Sequence, residues 1–181
     1  LQRVLNHYAG TGSSAKIRSF NFISSVDLKR IIERDYRELS LILFPAGAWK
    51  STVVLAGSIL EAILVDQLTA TPEVKELVKA CPKTPKTKRI EKGQWSMYQL
   101  INVATEVGIL PKDRVNAIDV TLREYRNVIH SDVELKKQYS CTEAEASLAK
   151  GALDAVCNYL DKHALHLPRP ASKRSSDAAR D

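Results

Sequence analysis

The sequence predicts an all-α fold, a helical bundle of about five or six helices, and three observations carry that expectation. Apolar residues recur at steps of three and four in one segment after another, which aligns them on one side of a helix. Ser, Thr or Pro precedes several of these segments and Gly or Pro follows, as helix ends require. No stretch alternates with a period of two strongly enough to read as a strand.

Residues 1–24 carry Gly10, Gly12, Ser13 and Ser14 without sustained periodicity and read as a loosely ordered leader, in which Leu1, Val4 and Leu5 have the spacing of a short helix. The helical domain is expected over 25–167. Ser24 and Ser25 are N-cap types, and Leu28, Ile32, Tyr36, Leu39 and Leu43 then form one face until Pro45 and Gly47 interrupt it. A second helix, Ala48 to Ala70, is apolar nearly all round from Val53 to Val65, the pattern of a central element packed on several sides. Lys50, Glu61 and Asp66 interrupt it, and the uncharged run is too short for a bilayer.

Thr71-Pro72 opens a short helix carrying Val74, Leu77 and Val78. Met97, Leu100, Ile101, Ala104 and Val107 form the next, stopped by Gly108. Pro111 resets the chain before a long helix from Asp113 to His130. The last helix starts with Thr142 and Glu145 in capping-box spacing and buries Leu148, Ala149, Ala152, Leu153, Val156 and Leu160. Gly151 and Ala152 are small enough there for close helix packing. Residues 168–181 turn to Pro, Arg, Ser and mixed charge, a disordered basic tail.

Composition narrows the function classes. The net charge of +6 favours a polyanionic partner. Cys81, Cys141 and Cys157 form no Cys-x-x-Cys pair, which argues against a disulfide framework or a Cys-rich zinc site and fits a reducing cytoplasm. No charged segment followed by an apolar run and a cleavage site opens the sequence, so no secretory signal is read. The four histidines, His7, His130, His163 and His166, lack metal-ligand spacing with carboxylates, so neither metal nor cofactor is expected. His163 and His166 decorate the end of the last helix. Gly57 and Gly93 stand alone, so there is no phosphate-cradling loop, and no Ser or Cys has a nucleophile setting.

The candidate chemistry lies in Leu122-Arg-Glu-Tyr-Arg-Asn-Val-Ile-His-Ser-Asp132. On a helix, Arg123, Arg126, Asn127 and His130 share one side, next to an apolar stripe of Val115, Ile118, Leu122, Tyr125 and Ile129. Metal-free phosphodiester cleavage needs a proton exchanger near neutral pH, which His130 supplies. It also needs fixed, forked positive charge on the phosphoryl oxygens, which an arginine supplies. Asn127 could orient either group. The competing reading is structural: a histidine at a helix C-terminus favours the dipole, and marginal arginines pair with acids.

Two further features stay open. Glu61, inside the apolar helix, either pairs with a cation from another helix, the arginines above being candidates, or reaches water along a polar sliver with Ser58 and Gln67. Lys83, Lys86, Lys88, Arg89 and Lys92 lie in a stretch that Pro82 and Pro85 keep from being helical. They are either a solvated connection or a basic lip that draws phosphates to the site.

At Arg126-Asn-Val-Ile-His130 the chain resembles the HEPN superfamily of small helical domains. Gly57-Ser-Ile-Leu-Glu61-Ala-Ile-Leu is similar to the central apolar helix of such domains with its single acid. Tyr98 to Leu110 is similar to the helix and turn that often precede the Arg/His helix. The resemblance implies a helical bundle, frequently a homodimer that joins two Arg/His pairs around a cleft. It further implies RNA as ligand and metal-independent endoribonuclease activity in many members, often as toxins with an antitoxin or as effectors with a defence-system partner. By position Arg126 and His130 are the motif pair, Asn127 follows the arginine, and Glu61 is a supporting acid. The sequence departs from the pattern in the short Arg126–His130 spacing, which Arg123 would restore, and in Asp132, where one toxin class often carries tyrosine. A catalytically silent member that binds RNA, a nucleotide or a partner protein is the alternative.

Overall fold

The structure is a computed structural model that describes residues 18–112, 136 and 141–163. Among these residues there are five α-helices and no strand, so the chain is all-α. Residues 1–17 of the expected leader, the long helix expected over 113–130 and the expected tail 168–181 lie outside the described residues.

Helix α1 spans Val26–Glu38, with the Ser25 hydroxyl accepting from the Leu28 amide. It runs on as one widened turn, Leu39–Leu43, in which the Phe44 amide bonds the Leu39 carbonyl five residues back. Ile32 and Leu39 are buried and Leu28 and Tyr36 half-buried, as the predicted face requires.

Helix α2, Trp49–Thr69, is the hub: it contacts α1 and its widened turn, α3 (Pro72–Ala80), α4 (Met97–Glu106) and α5 (Glu143–His163). Its all-round apolarity has the expected cause, because neighbours cover it on several sides. By length and composition α2 could cross a membrane, yet most of that stretch is buried inside the protein, as in a core helix.

Helix ends follow local chemistry. Thr71 caps α3, with Pro72 at the first position where no donor is needed. Ser96 and Gln99 make reciprocal bonds at the start of α4, a capping box the sequence reading missed. Gly108 follows α4 at φ +81°, a conformation that glycine adopts without a Cβ penalty. Before α5, Glu145 accepts from the Thr142 amide at 2.8 Å as predicted, although Thr142 itself receives the Ala144 amide.

Three expectations are corrected. Residues 18–24, expected as the end of a loosely ordered leader, are packed against the bundle. Phe20 is fully buried, Phe22 and Ile23 are buried, and Phe20 meets Phe22 and Tyr36 edge-on. Aromatic burial rather than periodicity holds this segment. On α5 the inward face is rotated: Leu148 is 61% exposed while Ala146 and Cys157 are buried. Gly151 is also exposed, with open space around a notional Cβ, so it makes no close helix contact.

Candidate nucleic-acid interface

The loop between α3 and α4, residues 81–96, displays the predicted cations on a frame built from its own backbone. Its anchors are apolar: Cys81, Ile90 and Trp95 are buried in the core that α2 organises. Polar bonds then fix the strand between them. The Thr84 amide donates to the Cys81 carbonyl, and the Thr84 hydroxyl reaches the Val78 carbonyl. The Trp95 indole N–H donates to the Lys88 carbonyl at 3.0 Å. The Gln94 side chain accepts from the Arg89 amide at 2.8 Å, and the Gln94 amide returns to the Arg89 carbonyl. A single 3₁₀ turn, Ile90–Lys92, closes on Gly93 at φ +63°.

This frame directs Lys83, Lys86, Lys88, Arg89 and Lys92 outward, and all five are exposed. Lys83 pairs with Glu106 of α4 at 2.8 Å, which raises the lysine's pKa and lowers the acid's. The other four make no ion pair among the described residues, and the only acid between 83 and 92 is Glu91. A rigid backbone carrying several cations gathers positive potential without ordering a flexible loop on binding.

The rest of the predicted site divides in two. Arg123, Arg126, Asn127 and His130 lie outside the described residues. Glu61 sits midway along α2, half-buried, and burial alone pushes its pKa up. It has no ion pair or hydrogen bond among the described residues. Ser58 beside it is exposed, so this flank of α2 meets water, but Gln67 is 2% exposed and no part of a polar sliver. Gln67 instead donates to the Phe22 carbonyl and to Asp66, whose carboxylate also receives the Ser24 amide and hydroxyl. Asp66, read only as a charge interrupting an apolar run, is therefore the buried acid of α2.

A second polar cluster joins the N-terminal segment to α5. Arg18 pairs with Asp161 at 2.7 Å, bonds Asn158 and lies over the Tyr36 ring. Tyr36 donates to Asp154 at 2.6 Å, and Lys150 holds the other oxygen of Asp154. Beneath it burial pushes the Cys157 thiol up to about 12, which makes it a poor nucleophile. His163 stacks on Tyr159 and its Nδ1 meets the Tyr159 carbonyl at 2.8 Å, so it finishes the helix as predicted. No metal-binding group of His, Cys, Asp and Glu occurs among the described residues, and neither Cys81 nor Cys157 is in a disulfide there.

Comparisons with family models, curated proteins and solved structures give no match to this chain.

Proposed function

We propose that this chain is a HEPN-like RNA-binding domain of a toxin or phage-defence type, with metal-independent endoribonuclease chemistry at Arg126 and His130. The observation that carries the binding half is the framed loop: exposed cations, mostly without acid partners among the described residues, on a backbone pinned by Trp95, Thr84 and Gln94. Phosphate chains bind such surfaces through release of condensed counterions, so affinity falls steeply with salt. The all-helical bundle around one apolar central helix is compatible with the resemblance at 57–64, 98–110 and 126–130.

In this reading His130 exchanges a proton with the attacking or leaving oxygen of the phosphodiester, and Arg126 offsets charge on the phosphoryl oxygens. Asn127 and Arg123 orient the strand, and a homodimer brings two such sets together in the cytoplasm. The test is incubation of the purified chain with structured RNA in excess chelator. Cleavage that His130→Ala and Arg126→Ala abolish, with helicity intact by circular dichroism, supports the whole reading. Salt-sensitive retention without cleavage leaves an RNA-binding domain alone. RNA neither retained nor cut at high protein concentration sinks the reading.

A further inference from the structure

Resting on the RNA-binding reading, we propose that Tyr98 is a stacking seat for an unpaired base of the strand whose phosphates follow the loop. Tyr98 is 57% exposed, a large ring left open to water at the second position of α4. A single exposed aromatic is unremarkable on a protein surface. Its setting distinguishes this one. Tyr98 lies three residues after Trp95, the last anchor of the basic loop, and its backbone is held by the Ser96–Gln99 capping box.

The other end of the loop returns to the same helix. Lys83 reaches Glu106, two turns beyond Tyr98 on that helix. Helix α4 thus carries an exposed aromatic ring where the framed, cation-bearing loop ends. A rigid ring beside such cations is the composition that binds single strands: the cations follow the backbone and the ring takes a base by its face. In a duplex the faces are already stacked within the helix, so the ring would add nothing there. The site therefore takes an unpaired pyrimidine or purine, with little preference among bases.

The experiment measures fluorescence anisotropy with the full chain, carrying His130→Ala in every arm so that the strand stays whole. The probes are an oligoribonucleotide of about a dozen nucleotides and the same strand annealed to its complement. Tyr98→Ala is expected to weaken the unpaired strand about five-fold or more, leaving duplex affinity and the salt slope unchanged. Tyr98→Trp should retain affinity, because the indole stacks as well. Lys86→Gln with Lys88→Gln should instead flatten the salt slope on both probes. Unchanged unpaired affinity in Tyr98→Ala, or equal loss on both probes, overturns the stacking seat while the RNA-binding reading stands. No binding of either probe by the parent chain removes both.

Discussion

Two non-helical segments flank the bundle, and they use their cations in opposite ways. The strap 18–24 commits its charge to partners on the bundle: Arg18 is held by Asp161 and Asn158, and Ser24 is held by Asp66. The loop 81–96 turns only its apolar residues inward and leaves four cations in water without a partner among the described residues. Arginine and lysine are therefore no guide to function by count. What matters is whether an acid has been placed to receive them, and in this protein that separates a structural latch from a binding surface.

The latch is where substitution should cost most. Asp66→Ala removes three hydrogen bonds to a buried carboxylate, leaving the Ser24 amide without its acceptor and Gln67 with only the Phe22 carbonyl. The expected loss is about 3 kcal/mol, read as a fall in the urea midpoint at unchanged slope. Should Asp66→Ala unfold at the same midpoint as the parent chain, the strap contributes nothing and the contrast with the loop fails.

A matched pair of arginines sharpens the contrast at smaller scale. Arg18→Gln gives up an ion pair with Asp161 and contact with the Tyr36 ring, for about 1–2 kcal/mol. Arg89→Gln should fall within about 0.5 kcal/mol of the parent, since the side chain is exposed and only the backbone of Arg89 is engaged. On RNA the order should reverse, with Arg89→Gln reducing salt-sensitive retention and Arg18→Gln leaving it unaltered. Equal stability losses for the two would mean that the loop cations are structural after all.

Much of this arrangement is legible in the sequence. The central helix announces itself by apolarity on every side, α3 by its Thr71-Pro72 start, α4 by its apolar periodicity and the Gly108 stop, and the non-helical character of the loop by Pro82 and Pro85. The strap is not legible, because Phe20, Phe22 and Ile23 have no period and are held by ring packing and by an acid 42 residues away. The same limit hid Asp66 as the buried acid and drew attention to Glu61, since periodicity places a residue on a helix face but not under a particular neighbour. The rotated face of α5 has a similar origin: two leucines, Leu148 and Leu153, cannot both point inward, and the alanines and Cys157 that fill the seam carry a weak hydropathy signal. For the loop, Pro and Lys predict exposure, whereas its rigidity comes from Trp95 and Gln94 folding back on Lys88 and Arg89. The Arg/His motif falls outside the described residues and remains a matter of sequence alone.

Glu61 lies between the two extremes, half-buried like Arg18 but without a partner among the described residues, as for the loop cations. Burial raises its folded-state pKa above the ordinary value of 4.5, so the folded chain keeps a proton that the unfolded chain has released. Stability from this group is then greatest at or below pH 4.5 and declines as pH rises through the window just above it. Glutamine does not ionise, so Glu61→Gln should match the parent in acid and exceed it at pH 7. Discounted for partial exposure, the gain is about 0.5 kcal/mol, or on the order of 1 °C in Tm. The sign is the informative part. A loss at pH 7 would mean that the carboxylate holds a cation in solution, with Arg123 and Arg126 the first to substitute in a double-mutant cycle. A gain would place Glu61 with the exposed charges of the loop, as a group open to a ligand rather than committed to the fold.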